Sequence, residues 1–372
     1  MRWDIFCQVI DNYGDIGVCW RLARQLVAEH GLAVRLWVDD LASLLRICPE
    51  SDPKFATQHL YGVEIRRWAS PFPDIEPGQV VIEAFGCELP SNYLSAMANR
   101  PTKPVWINLE YLSAENWVDG CHALPSPHPQ LPLTKHFFFP GFTPQTGGLL
   151  RERDLLARRD TFAGNLDAFW QSFNLPSPHQ NETTVSLFCY DTAPIADLLT
   201  AWQQAPTPVR CLLPEGKALQ QVARHFGRTS INQGDTLQRG NLTLYVLPFL
   251  RQQDYDHLLW ASDVNFVRGE DSFVRAQWAG KPMVWQIYFQ VEDAHLIKLE
   301  AFLDRYCDGL DQIAADSMRT LHQGWNTQTP LHWNAFQKNL QVLRQHAGTW
   351  TSRLVQQPDL ASNLVIFCKN RL

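Results

Sequence analysis

An apolar run from Trp3 to Ile10 passes through one glycine-bearing turn, Asp11-Asn12-Tyr13-Gly14-Asp15-Ile16-Gly17, into an amphipathic run from Val18 to His30. That order reads as strand, tight turn, helix, and it commits the start of the chain to a βα unit. Val18, Leu22 and Leu26 recur at i, i+4 and i+8, joined by Ala23 and Val27, one apolar stripe that must find a sheet. Gly31 supplies the helix stop. In open α/β sheets, ligands sit at turns of this kind, beyond the carboxyl ends of the strands. This turn carries Asp11 and Asp15 and no glycine-rich phosphate cradle. Negative charge at that spot repels a diphosphate and suits a cationic or hydroxyl-bearing partner. A second acidic cluster, Arg268-Gly269-Glu270-Asp271-Ser272, stands at a similar strand-to-helix junction much later in the chain. One such junction per half points to a cleft between two domains.

The alternation supports that division. At 372 residues the chain is too long for one typical domain. Continuous apolar strands such as Val80-Val81-Ile82 imply burial on both faces, as in a parallel sheet covered by helices. Between Asn116 and Gly148 six prolines break the pattern, and Thr146-Gly147-Gly148 reads as a flexible turn. The second half restarts with strands expected near Val185, Val209, Leu242, Asn265 and Met283, each followed by a helical pattern. The expected domains are a Rossmann-like acceptor-binding unit at 1–155, a crossover at 156–182 and a Rossmann-like nucleotide-sugar-binding unit at 183–345. A helical tail at 346–372 has the first domain as its candidate partner. By fold analogy this is the α/β GT-B glycosyltransferase architecture, two Rossmann-like domains facing a cleft with a helical C-terminal tail.

Bulk properties remove several classes. With 32 basic and 38 acidic side chains, the net charge of −6 gives no support to a nucleic-acid partner. No apolar run approaches the ~20 residues of a membrane span, and no basic leader precedes the first strand. Nine scattered cysteines without a CxxC pair fit thiols in a reducing, cytoplasmic setting better than a disulfide or metal framework. No phosphate-loop, dinucleotide, zinc-protease or serine-hydrolase motif is present. Asp39-Asp40 is poor evidence for a metal-binding acidic pair, and His30, His122, His128 and His136 read as loop or surface residues.

Three groups of residues remain as candidates for chemistry. Asp11 and Asp15 could activate an acceptor, or serve only as a turn-forming residue and a helix N-cap. Arg268 with Asp271 and Ser272 could clamp a diphosphate at a helix N-terminus, or form a capped helix with a surface ion pair. Phe188 and Tyr190, on one face by their i, i+2 spacing, could wall a nucleobase pocket with Phe249 and Tyr255, or simply pack.

Together, Ile10-Asp11-Asn12-Tyr13-Gly14-Asp15-Ile16-Gly17-Val18, Phe139-Pro140-Gly141-Phe142-Thr143 with Thr146-Gly147-Gly148-Leu149, and Arg268-Gly269-Glu270-Asp271-Ser272-Phe273 resemble one family over nearly the whole chain. It is the bacterial protein-arginine rhamnosyltransferases that modify elongation factor P. The resemblance implies inverting transfer of rhamnose from dTDP-β-L-rhamnose to an arginine side chain of elongation factor P. It also implies that no metal or other cofactor takes part. It marks Asp15 as general base, Asp11 as its supporting carboxylate and Glu270 as a third essential acid. Arg268, Asp271 and Ser272 become diphosphate and ribose contacts, and Phe188, Tyr190, Phe249, Gln252, Tyr255 and Tyr288 the nucleotide pocket. Tyr255 stands where some members carry phenylalanine, a change that keeps the aromatic wall. Competing readings are a glycosyltransferase with another nucleotide sugar and a lipid or sugar hydroxyl acceptor, or a non-catalytic protein-binding module.

Overall fold

The structure, a computed structural model, describes residues 1–372 apart from Asn12 and Gln328, and only the backbone of Val291. Asn12 of the first turn therefore lies outside the described residues. The chain divides into two compact units, Met1–Arg153 with Val355–Leu372, and Asp154–Leu354.

The first unit begins β1 (Arg2–Cys7), α1 (Gly14–His30), β2 (Ala33–Val38), α2 (Leu41–Ile47), β3 (Thr57–Leu60) and β4 (Val63–Arg67). It continues with β5 (Val80–Ala84), α3 (Ser91–Asn99), β6 (Val105–Leu109), α4 (Trp117–Cys121), β7 (Pro125–Pro127) and β8 (Thr134–Phe138). The second unit holds α5 (Leu155–Ala163), α6 (Leu166–Ser172), β9 (Thr183–Leu187), α7 (Ile195–Gln203), β10 (Val209–Pro214), α8 (Leu219–His225), β11 (Thr236–Arg239) and β12 (Leu242–Leu247). Then come α9 (Gln252–Ala261), β13 (Val264–Arg268), α10 (Asp271–Ala279), β14 (Met283–Gln286), α11 (Ala294–Tyr306), α12 (Gln312–Thr327), α13 (Trp333–Lys338) and α14 (Leu340–Val355). The last helix, α15 (Leu360–Lys369), returns to the first unit.

Among the described residues, the first unit's sheet has the order β3-β4-β2-β1-β5-β6-β8-β7. All pairs are parallel except those of the edge strands β3 and β7. The chain leaves β1 toward β2 and β4, then returns to β5 on the other side of β1. The carboxyl ends of β1 and β5 therefore flank a topological switch point, where such sheets leave a crevice. The second unit repeats the scheme with the order β11-β12-β10-β9-β13-β14, and its switch point lies between β9 and β13. Every residue of β5, β9 and β10 is buried, as both-face coverage requires.

Two buried ion pairs lock these frames. Asp4 of β1 lies opposite Arg35 of β2 and takes its guanidinium bidentately, at 2.6 and 2.7 Å. The Asp4 carboxylate also accepts from the Gly78 N–H at 2.7 Å and from the Tyr93 hydroxyl. In the second unit Arg275 of α10 grips Asp256 of α9 at 2.9 and 2.7 Å, tying the two helices that border the switch point. Each pair is at most 2% exposed, so its strength rests on this complete bonding and removal of one partner would strand a charge.

The structure departs from the sequence pattern in three places. The segment expected as a polar crossover at 156–182 contains α5 and α6, whose Phe162, Phe169 and Trp170 pack among the aromatic residues of a core cluster with Leu258 of α9. The proline-rich stretch yields the β7–β8 pair, tolerated because β7 is an edge strand where a missing N–H breaks no ladder. The Gly147-Gly148 turn is packed tightly. A Cβ on Gly147 would meet the Phe138 ring at 2.5 Å, and one on Gly148, at φ +77°, would meet the Pro358 carbonyl oxygen at 2.5 Å. The turn is the seat of the C-terminal tail, which Asn363 fastens through its Nδ2 to the Gly147 carbonyl at 2.9 Å.

Candidate functional sites at the two switch points

Helix α1 begins at Gly14, and no side chain caps it at Tyr13. Asp15, in its first turn, is therefore not a cap. Its carboxylate reaches back to the end of the first strand's loop, where Oδ2 accepts the Ile10 N–H at 2.7 Å and the Asp11 N–H at 2.8 Å. Oδ1 accepts the Tyr111 hydroxyl at 3.1 Å. Asp15 is 1% exposed, and burial is the main cause that raises its pKa above the ordinary 3.8. The two backbone bonds and Tyr111 pull against that shift, and the nearby charge of Asp11 adds to it. Asp11 turns the chain, its carbonyl accepting the Gly14 N–H at 2.7 Å. A Cβ at position 14 would meet Asp11 Oδ2 at 2.9 Å, so glycine there leaves room for a second carboxylate beside the first. The outcome is a carboxylate with raised proton affinity at the crevice end of a parallel sheet, the property a general base needs near neutral pH.

Phe85 and Tyr111 complete this rim, and the pattern-based reading missed both. Each lies just past its strand, Phe85 after β5 and Tyr111 after β6. Their rings stack at 4.4 Å and 16°. The usable signal was position: residues immediately beyond strands that neighbour β1 face the same edge. A cavity of about 450 Å³ opens at this edge too, lined by Gln8, Asp39, Trp68, Phe72, Glu88 and Asn92 among others.

At the second unit's switch point Arg268 ends β13 and is 5% exposed. Its guanidinium carbon lies 4.5 Å from the Phe188 ring centre and 4.4 Å from that of Tyr190, so both aromatics beyond β9 present faces to one cation. Tyr255 of α9 meets Phe188 edge-on at 5.5 Å, and half-exposed Tyr288 meets Tyr190 edge-on at 5.8 Å. The Tyr190 N–H donates to Gln286 Oε1 at 2.7 Å, which fixes the loop that carries its ring. Gln252 of α9 donates to Asp271 Oδ2 at 3.2 Å. Phe188, Tyr190, Tyr255, Arg268 and Tyr288 are thus joined by direct contacts, and Gln252 and Asp271 are bonded to each other. Phe249 lies half-buried two residues beyond β12, in the loop to α9.

Capping at this junction differs from the expectation. Helix α10 starts at Asp271 with half-buried Glu270 at the cap position, and neither Asp271 nor Ser272 is the N-cap. The Ser272 hydroxyl instead turns back on Arg268, accepting its N–H at 3.1 Å and donating to its carbonyl. This bond closes the end of the strand, and the next amide, of Gly269, donates to the Gln286 carbonyl at 3.3 Å. Gly269, at φ +59°, makes the bend, and Trp285 Nε1 holds its carbonyl at 2.8 Å. A helix start preceded by a buried arginine is suited to an anion such as a diphosphate.

Other singled-out residues have structural roles. Asp40 caps α2 through the Ala42 and Ser43 N–H groups, and Asp39 holds the Val9 N–H at 2.9 Å. His122 and His128 accept backbone N–H bonds from Phe139 and Leu131. None of the nine cysteines forms a disulfide, and all but Cys121 are buried. Among the described residues no group of three or more His, Cys, Asp or Glu side chains is placed to hold a metal ion, and no helix is long and apolar enough to cross a membrane.

Residues 3–369 match the family model described as Elongation-Factor P (EF-P) rhamnosyltransferase EarP. The chain is 50% identical to a protein-arginine rhamnosyltransferase of Pseudomonas putida, covering 100% of this chain and 99% of that one. It is similar to the structure solved for EarP-mediated arginine glycosylation of translation elongation factor EF-P, with 39% identity, 100% and 99% coverage and a TM-score of 0.71. Its fold is shared with the glycosyltransferase VinC, at 12% identity, full coverage of both chains and a TM-score of 0.50. The fold is the two-domain α/β GT-B type with a helical C-terminus, and the chain belongs to the EarP family of rhamnosyltransferases.

Proposed function

We propose that this chain is an inverting glycosyltransferase that moves L-rhamnose from dTDP-β-L-rhamnose to an arginine side chain of translation elongation factor P, in the cytoplasm and without a metal ion or other cofactor. The observation that carries the reading is Asp15: a buried carboxylate of raised proton affinity, with one oxygen held by two backbone amides and the other left with a lone pair beyond its tyrosine bond. An arginine guanidinium has a pKa above about 12 and is a poor nucleophile at rest. A carboxylate bonded to one of its N–H groups localises the positive charge and takes the proton as the C–N bond forms. The C–O bond between the sugar and the diphosphate breaks in the same event, and the product guanidinium keeps its charge on the remaining nitrogens.

Asp11 supports Asp15 by adding negative charge that attracts the cationic acceptor, and the unit at 1–155 is the acceptor domain. The unit at 183–345 is the donor domain. There Arg268 and the amides of α10 stabilise the charge that grows on the diphosphate, an effect strongest in the transition state. Phe188, Tyr190, Phe249, Gln252, Tyr255 and Tyr288 hold the nucleoside, Asp271 and Ser272 the ribose and diphosphate, and Glu270 is the third essential acid. The family membership and the likeness to proteins that act on arginine support this assignment. The test is intact-mass and peptide analysis of elongation factor P after incubation with this chain and dTDP-β-L-rhamnose. One deoxyhexose on one arginine is expected. No gain with folded acceptor and intact donor refutes the proposal.

A further inference from the structure

Asp15 does not stand alone at its rim. Its Oδ2 is saturated by the Ile10 and Asp11 amides, so only Oδ1 can meet a substrate proton, and Oδ1 already accepts the Tyr111 hydroxyl. That bond reaches across three strands, because β6 is separated from β1 by β5. The Tyr111 ring is held in turn by Phe85, stacked against it at 4.4 Å. Phe85 occupies φ +60°, a region that bulky residues adopt only when the surroundings impose it. Those surroundings are visible: the Phe85 N–H donates to the Leu109 carbonyl at 2.7 Å, and the next N–H, of Gly86, donates to Asn108 Oδ1 at 3.1 Å. Both bonds run from the end of β5 to the end of β6 and pin the backbone that carries the two rings.

We propose that Tyr111 is a positioning residue for the proton-accepting oxygen of Asp15, and that Phe85 is the brace that aims it. A carboxylate oxygen has two lone pairs. Tyr111 fills one at Oδ1 and so leaves a single direction from which an acceptor N–H can approach. The same phenol stabilises the ionised carboxylate and keeps its proton affinity from rising further under burial. After the acceptor proton moves to Oδ1, the phenol oxygen can turn to accept from the new carboxyl O–H, so the contact survives both states. The titratable groups facing Asp15 are Asp11 on its own turn, Tyr111 from the end of β6 and the Cys7 thiol of β1. The Cys7 thiol is held well above its ordinary range by its bond to Cys19 and by burial, and stays neutral.

This inference rests on the proposed role of Asp15 as base, and the test separates the two. Tyr111→Phe keeps the ring on Phe85 and removes only the hydroxyl. The expected result is a fall of about tenfold in kcat, with the KM for dTDP-β-L-rhamnose unchanged, as loss of one hydrogen bond to a charged group implies. The acid limb of the kcat–pH profile should move to higher pH. A titration of the Asp15 carboxyl carbon by NMR, independent of turnover, should show the same upward shift. Phe85→Leu, which keeps an apolar side chain and loses the stack, should shift the titration in the same direction by less. An unmoved Asp15 titration and pH profile in Tyr111→Phe overturn the inference. If instead the titration moves while the wild-type chain transfers no sugar, the positioning role stands and the proposed function falls.

Discussion

Replacing Asp15 by asparagine separates catalysis from folding at a single atom. Asparagine keeps the volume, and its carbonyl oxygen can take the Ile10 and Asp11 N–H bonds that Oδ2 accepts at 2.7 and 2.8 Å. Its amide nitrogen then faces Tyr111, whose hydroxyl turns to accept. Both backbone donors keep their partners, and the half-buried Tyr111 hydroxyl exchanges a donated bond for an accepted one, so the penalty for a stranded backbone donor does not arise. The charge itself is removed, and here the sign matters. Burial raises the folded-state pKa of Asp15 above 3.8, so ionisation costs more in the folded than in the unfolded chain. Stability from this group is complete below the unfolded pKa and is lost as pH rises through the folded one. At pH 7 the wild type bears that cost and Asp15→Asn does not. The variant should therefore melt at or above the wild-type temperature at pH 7, and the advantage should vanish below about pH 4, where both chains are neutral there. Its transfer rate should fall by roughly 10²–10⁴, the usual worth of a general base. Differential scanning fluorimetry across pH, with rhamnosyl transfer followed by intact mass, measures both. Activity within tenfold of wild type, or a clear loss of stability at pH 7, would refute this account of Asp15.

The remaining predictions concern other parts of the molecule. Arg268→Lys keeps the charge but loses the planar group that lies on Phe188 and Tyr190, and calorimetry should find dTDP binding weakened about tenfold, equivalent to ~1–2 kcal/mol. Asp256→Asn leaves the buried Arg275 charge short of its carboxylate, and urea unfolding should show about 3–5 kcal/mol of destabilisation. Gly148→Ala places a methyl 2.5 Å from the Pro358 carbonyl oxygen at a positive φ, and should cost about 1–3 kcal/mol and open the tail around Pro358 to faster amide exchange.

Much of the local structure is written in periodicity. The stripe of Val18, Leu22 and Leu26 and the stop at Gly31 describe α1, and Gly31 indeed ends it at φ +63°. The all-apolar Val80–Ile82 run announces a strand covered on both faces, as β5 is. The prolines at 125 and 127 concealed β7, because proline argues against a strand until the strand is known to be an edge. The Gly147-Gly148 pair read as looseness when its real cause is crowding by a tail more than 200 residues away in sequence. Asp11, Asp15, Arg268, Phe188 and Tyr190 were visible because they adjoin strand ends in recognisable motifs. Phe85 and Tyr111 were not, since their place just past β5 and β6 becomes a signal only once those strands are known to follow β1 in the sheet.

The amino-acid sequence alone determined the alternation of strands and helices, the two acidic junctions and the family, because these depend on residues close together in the chain. Tertiary structure alone decided which partners meet Asp15. The Tyr111 hydroxyl reaches its carboxylate across 96 positions of sequence, an encounter set by strand order, and strand order is fixed by how whole faces bury each other.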